Sequence, residues 1–128
     1  MNQSLCNMLS ILKNGQKNNK RSVLQKRSLL CESVLNLLWD EGFISGFRIS
    51  KNNLKYLEIF LKYFKDTPSI SYIKTISKPN RPVNYSVKNL WKFDSKLGII
   101  VMSSNAGIIT VERSKKLRIG GRALFIIK

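Results

Sequence analysis

The chain has 128 residues, and its 23 Lys or Arg against 7 Asp or Glu give a net charge of +16 at pH 7. This length excludes a large multidomain enzyme, and a hydrophobic content of 43% argues against wholesale disorder. So much uncompensated positive charge favours a polyanionic partner, for which nucleic acid is the first candidate and an anionic membrane surface the alternative.

Two helices are predicted in the first part of the chain. Apolar residues at 5, 8, 9 and 12 recur at helical spacing and predict a first helix that ends at Gly15. A polar, basic connection follows over 16–22, which is either a solvated loop or a loop that faces phosphate. Ser28 is the predicted N-cap of a second helix, and Gly42 follows its C-terminus.

Strand patterning follows the second helix. Residues 43–49 and 54–64 are joined by a Lys-Asn-Asn turn and therefore predict a hairpin. The Asp-Thr-Pro sequence at 66–68 breaks this pattern. It predicts a domain boundary between an N-terminal lobe, 1–66, and a C-terminal lobe, 67–128.

The second half of the chain is predicted to be mainly β. Strands are expected over 70–77, 83–87, 99–102, 108–111 and 123–127. Short helical turns are expected at 89–93 and 114–118, and Gly120-Gly121 predicts a close approach of two backbones. The outline is an α+β fold in two small lobes, the first with two helices and a hairpin and the second mostly β with short helical turns.

The polar loop at 103–107 is the best candidate for a binding surface. Ser103, Ser104 and Asn105 donate and accept hydrogen bonds, and Gly107 allows backbone to approach a ligand closely. Such groups suit the 2′-hydroxyls, base edges and phosphates of RNA. A plain hairpin turn uses the same residue types, and composition alone favours that interpretation.

Basic residues are concentrated in the second half and are interleaved with two aromatic residues. The basic residues are Lys78, Arg81, Lys88, Lys92, Lys115, Lys116, Arg118 and Arg122. Tyr85 and Trp91 lie among them, and cations beside an aromatic ring that can stack on a base are typical of nucleic-acid binding. Either ring could instead be a core or subdomain contact, which is the favoured interpretation for Trp91.

Nothing in the pattern indicates catalysis, a metal site, a cofactor or a small-molecule substrate. His is absent, and the carboxylates are scattered apart from Asp40 and Glu41, which do not face one another on a helix. Cys6 and Cys31 lie in apolar helical patterns and are predicted to be reduced, structural thiols. No apolar run approaches the roughly 20 residues of a membrane span. Binding to a membrane surface needs a long helix with a basic face and an apolar face, and the longest helical pattern is not basic, so no membrane partner is expected.

The segment from Gly98 to Gly121 resembles the C-terminal signature of the bacterial-type small-subunit ribosomal protein eight family. That signature is matched by Gly98, Ser103, Ser104, Gly107, Ile108, Ile109, Lys115, Gly120 and Gly121. Four shorter matches occur in the family's order: MLSILKN at 8–14, EGFI at 41–44, LKYF at 61–64 and SKP at 77–79. The resemblance therefore covers nearly the whole chain.

The resemblance implies a structural protein of the small ribosomal subunit, without catalysis, that binds a junction in the central domain of small-subunit rRNA beside neighbouring ribosomal proteins. It implies that the hydroxyl loop is the chief RNA contact, with a second contact at the end of the first helix. The predicted RNA-binding residues are Ser103, Ser104, Asn105, Gly107, Lys78, Arg81, Tyr85, Lys115, Lys13 and Asn14. Another basic RNA-binding protein or a small RNA-processing nuclease is the alternative.

Departures from the family pattern indicate a diverged, organellar version. Asn105 and Ala106 stand where Ser and Lys are usual, and Ile11 stands where an Arg is expected. Lys, Asn and Ile have A+T-rich codons, and the first family motif begins near residue 5, which leaves no room for a cleaved presequence. The prediction is a mitochondrial ribosome in the matrix and an organellar gene, with plastid or bacterial cytoplasm as alternatives.

Overall fold

The structure, a computed structural model, describes residues 3–78, 80–92 and 97–128. Its contacts form two units, an N-terminal unit over Gln3–Ser71 and a C-terminal unit that includes Tyr72–Lys128. Residues 79 and 93–96 lie outside the described residues, and with them the last residue of the helical turn predicted at 89–93. The lobe boundary after residue 66 stays a prediction.

The N-terminal unit packs two helices on a three-stranded antiparallel sheet. Helices α1 (Gln3–Lys17) and α2 (Leu29–Asp40) contact strands β1 (Ser22–Lys26), β2 (Ile44–Ile49) and β3 (Tyr56–Leu61), which are ordered β1-β3-β2. The predicted apolar stripe of α1 is buried, as are the alternate residues of β3. The buried side chains include Leu5, Met8, Leu9, Leu12, Val34, Leu35, Leu38, Leu57, Ile59 and Leu61.

Both predicted caps of α2 are confirmed. The hydroxyl of Ser28 accepts a hydrogen bond from the Cys31 backbone N–H at 3.1 Å, which satisfies one of the free donors of the first turn. At the other end, Gly42 has a φ of 82°, in the left-handed region. The N–H of Phe43 then reaches the Leu38 carbonyl at 2.9 Å, which closes the last turn.

Helix α1 does not end at Gly15, and that prediction is wrong. The helix continues to Lys17 and is closed by Asn19, whose φ is 55°. The N–H of Lys20 reaches the Gly15 carbonyl at 2.9 Å, so Asn19 has the position that glycine usually has. Gly15 serves packing instead, because a Cβ there would lie 2.7 Å from Cγ1 of Val23 and 3.0 Å from Cδ1 of Leu61.

Two short strand features of this unit were not predicted. Strand β1 lies just after the predicted loop and pairs antiparallel with β3 along its whole length. The predicted break at 66–68 is part of a small hairpin of β4 (Tyr63–Phe64) and β5 (Thr67–Pro68). Its two turn residues, Lys65 and Asp66, have φ angles of 50° and 65°.

The C-terminal unit is an antiparallel sheet with two short helices. Its elements are β6 (Ile73–Thr75), β7 (Val83–Tyr85), α3 (Val87–Leu90), β8 (Ile99–Ser104), β9 (Gly107–Thr110), α4 (Val111–Leu117) and β10 (Gly121–Ile127). The strand order is β6-β10-β8-β9, and β7 also pairs with β10. The core contains Leu90, Ile100, Met102, Val111 and Ala123. The α+β fold class is thereby confirmed.

Candidate nucleic-acid interface

The β8–β9 hairpin is shorter at its turn than the sequence predicts. Ser103 and Ser104 both belong to β8, and Ser104 lies opposite Gly107, so only Asn105 and Ala106 form the turn. The Ser104 hydroxyl donates to the Gly107 carbonyl at 3.1 Å and accepts from the Ala106 N–H at 3.2 Å. Ser104 therefore holds the turn, and Gly107 supplies its left-handed φ of 102°.

Ser103 belongs to a row of polar residues on three neighbouring strands. It lies opposite Ile108 of β9 and Arg122 of β10, and Arg122 lies opposite Asn84 of β7. Directly opposite residues of antiparallel strands share one face of the sheet. Arg122 and Asn84 are exposed, and Ser103 is half-buried. We call Asn84, Arg122 and Ser103 the polar row.

The polar row lies on the face opposite the core of its unit. In the next row of the sheet, Ala123 lies opposite Met102, and both side chains are buried in the core. Because side chains alternate along a strand, Arg122 and Ser103 point to the face away from the core. The Ser103 hydroxyl makes no hydrogen bond to the residues that the structure describes. A hydroxyl, a guanidinium and an amide thus present hydrogen-bonding groups side by side on one sheet face.

Glycine makes this sheet region possible, and the predicted close approach is confirmed. A Cβ on Gly121 would lie 2.5 Å from the Ser103 carbonyl oxygen, and a Cβ on Gly120 would lie 2.5 Å from that of Tyr85. Because contacts of that length are forbidden to real side chains, β10 needs glycine to pair here. The sequence predicts the close approach at Gly120-Gly121. It does not predict the register of β10, which sets the positions of Arg122 and Asn84 on the sheet.

Lys78 and Arg81 flank a tight turn that is tied to β10. Their backbones pair with each other through hydrogen bonds of 3.1 and 2.9 Å, and both side chains are exposed. The buried hydroxyl of Ser77 donates to the Ala123 carbonyl and accepts from the Val83 N–H at 2.8 Å. The turn is therefore anchored one residue away from Arg122.

Tyr85 and Lys115 lie elsewhere in the C-terminal unit. Tyr85 is opposite Gly121 and packs half-buried against the core cluster. The Lys115 ammonium lies 3.6 Å from a Glu112 carboxylate oxygen and 5.5 Å from the centroid of the Trp91 ring. Trp91 itself is 66% exposed and is therefore not a core residue, so that part of its interpretation is wrong.

Lys13 and Asn14 belong to the N-terminal unit. Both are exposed near the C-terminus of α1. Asn14 lines an open cavity of about 720 Å³, whose polar walls include Lys20, Asn52 and Asn53. These amides and cations are suited to hydrogen bonding with a polar ligand.

Two groups of the N-terminal unit have shifted pKa values. Burial raises the pKa of the Cys31 thiol, and hydrogen bonds with Ser28 and Gln25 only partly oppose that shift. The thiol is thus buried and protonated at neutral pH, as expected of a structural cysteine, whereas Cys6 is half-buried. Burial also raises the pKa of Tyr63, whose hydroxyl donates to the Lys20 carbonyl at 2.6 Å.

Across 3–78, 80–92 and 97–128, no three His, Cys, Asp or Glu residues come together so as to hold a metal ion. Within the same ranges, no helix has the length and apolar character needed to cross a membrane.

A net charge of +16 and a polar row beside a basic turn are typical of basic RNA-binding proteins. The family model described as Ribosomal protein S8 matches residues 3–127. The chain therefore belongs to the ribosomal protein S8 family, which confirms the resemblance.

Individual relatives agree with the family match. The small ribosomal subunit protein uS8 of Blochmanniella pennsylvanica is 35% identical, over 97% of this chain and 95% of the relative. The protein of the same name from Buchnera aphidicola subsp. Schizaphis graminum is 36% identical over the same shares. That of Ehrlichia chaffeensis is 32% identical over 97% of this chain and 96% of its own.

Proposed function

We propose that this chain is a structural constituent of the small ribosomal subunit that binds the central domain of small-subunit rRNA, supports assembly and translation, and performs no catalysis. Membership of the ribosomal protein S8 family is the observation that carries the proposal. The relatives' names place those proteins in the small subunit. Neighbouring ribosomal proteins are the further partners that this role implies.

The chemistry of the C-terminal unit supports a division of labour in RNA binding. Lys78, Arg81 and Arg122 would contact phosphates and supply affinity that falls with salt. Ser103 and Asn105 would hydrogen-bond to sugar hydroxyls and base edges, and so respond to the shape of the RNA. Ser104 and Gly107 would act through the turn that they hold. In the N-terminal unit, Lys13 and Asn14 would provide a second contact.

The test replaces the unpartnered hydroxyl of the polar row. We expect Ser103→Ala to weaken binding to a central-domain rRNA junction by roughly three- to tenfold, because one hydrogen bond contributes about 0.5–1.5 kcal/mol. Ser103→Leu should weaken junction binding further, because its larger side chain also keeps the RNA away from the sheet. Binding to random RNA of equal length should change little, since phosphate contacts remain. Filter binding at one fixed salt concentration measures both.

Ser33→Ala is the matched control, because Ser33 is an exposed serine on α2. It should bind the junction like the unchanged chain. Equal losses of junction and random RNA binding for the Ser103 variants would contradict a shape-reading role. An unchanged chain without preference for the junction would contradict the proposed function itself.

We also infer that the ribosome concerned is mitochondrial, with plastid and bacterial ribosomes as alternatives. The departures at Asn105, Ala106 and Ile11 support this, as does the heavy use of Lys, Asn and Ile. Sedimentation of fractionated cell extracts tests it: the chain should migrate with the organellar small subunit. Migration with cytoplasmic small subunits of a bacterium would contradict it.

A further inference from the structure

Trp91 is an exposed aromatic residue that its own unit does not bury. It caps the short helix α3 directly after Leu90, which is fully buried in the core. The indole nevertheless remains 66% exposed. A tryptophan contributes a large apolar surface, so leaving it in water gives up stabilisation that burial would supply. Packing against the described residues of its unit therefore does not account for this side chain.

Lys115 holds one side of the indole. Its ammonium lies 5.5 Å from the ring centroid, which is cation–π distance, and 3.6 Å from Glu112. The Lys115 side chain is only 11% exposed, so its freedom to move away from the ring is restricted. The indole is therefore partly fixed before any ligand arrives, which lowers the entropy lost on binding.

The two chain segments that contain Trp91 and Lys115 are rich in basic residues. Segments 87–92 and 111–118, which contain α3 and α4, carry six cations and one carboxylate. The cations are Lys88, Lys92, Arg113, Lys115, Lys116 and Arg118. The one carboxylate, Glu112, is already engaged by Lys115. An aromatic face among cations suits a ligand that is aromatic and anionic, which is the chemistry of a nucleotide in RNA.

We propose that Trp91, held by Lys115, is a stacking platform for an unpaired nucleobase of the bound RNA, whose phosphates contact the lysines of α3 and α4. The proposal rests on the proposed function, because it assumes that the RNA is the chain's ribosomal ligand. The platform differs from the polar row, whose groups are hydrogen-bond donors and acceptors on β7, β8 and β10. The platform requires a base outside a duplex, because neighbouring base pairs cover both faces of a base inside one.

The first experiment measures stacking directly. The chain has two tryptophans, so Trp39→Phe leaves Trp91 as the only indole. We expect single-stranded oligoadenylate and the central-domain rRNA junction to quench its fluorescence, because a stacked base quenches indole emission. A perfectly paired RNA duplex of equal charge should bind through its phosphates with much weaker quenching. Equal quenching by the duplex would overturn the proposal. So would a lack of quenching by both oligoadenylate and the junction.

The second experiment measures affinity. Trp91→Leu removes the ring and should weaken junction binding by roughly tenfold, within the range for one stacked base. Trp91→Phe keeps a smaller ring and should restore most of that affinity. Phe64→Leu is the matched control: Phe64 is 72% exposed in the N-terminal unit, with the Lys65 ammonium 5.5 Å from its ring centroid. It should leave affinity unchanged.

The outcomes separate this proposal from the proposed function. If the unchanged chain prefers the junction but Trp91→Leu binds it equally well, the platform is wrong and the function stands. If Trp91→Leu binds the junction normally but fails to enter small subunits, the ring contacts a protein, which also overturns the platform. If the unchanged chain does not prefer the junction, both proposals fail. Thermal melting of each variant confirms that it is folded.

Discussion

Ser103 and Ser104 are identical neighbours with different roles, because strand alternation points them to opposite faces. Ser104 makes two hydrogen bonds within the hairpin turn, whereas Ser103 lies opposite Arg122 of β10, on the other face of the sheet. Residue type alone therefore does not tell which hydroxyl faces a ligand. The distinction comes from register, since a shift of one residue would exchange the two roles.

Arg118 has a left-handed backbone conformation that costs free energy. It ends α4 with a φ of 55° and a ψ of 44°, and its N–H reaches the Lys115 carbonyl at 3.2 Å. A residue with a Cβ is disfavoured there by roughly 1–2 kcal/mol, whereas glycine is not. We expect Arg118→Gly to raise the free energy of unfolding by about 1 kcal/mol, measured by urea denaturation.

Arg118→Ala separates backbone from charge. It removes the same guanidinium but keeps a Cβ, so it should not share the gain of the glycine variant. Equal stabilities of the alanine and glycine variants would contradict backbone strain as the cause.

At the level of elements, α1 packs closely against the sheet because Gly15 has no side chain. Gly15 lies in the helix against β1 and β3, where Cγ1 of Val23 and Cδ1 of Leu61 occupy the space of a Cβ. Alanine is about 1 kcal/mol better than glycine in a helix, but forced overpacking costs about 1–3 kcal/mol. We expect Gly15→Ala to lower the free energy of unfolding by about 1 kcal/mol, measured by urea denaturation.

Ser10→Ala is the control on the same helix, because Ser10 is exposed in its interior. Helix propensity alone predicts a small gain there. If Gly15→Ala and Ser10→Ala were both more stable than the unchanged chain, helix propensity would determine the effect at Gly15, and the packing argument would be wrong.

Elements with local signals were predictable, and elements set by distant partners were not. The helical stripe of α1 and the caps of α2 at Ser28 and Gly42 depend on residues a few positions apart. Strand β1 has only five residues, and its alternation is too short to stand out beside the basic connection before it. Its pairing with β3, more than 30 residues away, is what makes it a strand.

The same limit applies to the candidate interface. The sequence motif located the hydroxyl turn, because hydroxyl and glycine residues follow an apolar run directly. The sequence favoured Tyr85 as an RNA contact and Trp91 as a core or subdomain contact, although both are aromatic residues among cations and nothing in the sequence fixes their burial. Tyr85 packs on the core and Trp91 is exposed, and this depends on how β7 and α3 meet the sheet. Such placement requires the three-dimensional structure.

At the level of the whole molecule, charge opposes folding and favours RNA binding. The 7 carboxylates can neutralise at most 7 of the 23 cations, which leaves 16 to repel one another. Even good pairs, such as Arg48 with Glu58 at 2.9 Å, are half-exposed and therefore contribute little. A bound polyanion would relieve this repulsion, so binding and stability are thermodynamically linked.

Salt should therefore act on stability and on RNA affinity in opposite directions. Between about 0.05 and 0.5 M KCl the screening length falls below the spacing of most surface charges. We expect the free energy of unfolding to rise by roughly 1 kcal/mol, since several like-charge pairs of a few tenths of a kcal/mol each are relieved. Junction affinity should fall steeply over the same range, because released counterions drive binding. Chemical denaturation by urea, which adds no charge, measures the first quantity, and filter binding measures the second.

A charge-reduced chain tests whether repulsion is the cause. Lys26 and Lys55 are exposed lysines of the N-terminal unit, outside the predicted RNA-binding residues. The double variant Lys26→Gln, Lys55→Gln should be more stable than the unchanged chain in low salt and should gain less when salt is added. Its junction affinity should keep the same salt dependence, because the phosphate-contacting cations remain. Stability that is independent of salt in both chains would show that self-repulsion does not limit this fold, and that its excess charge serves binding alone.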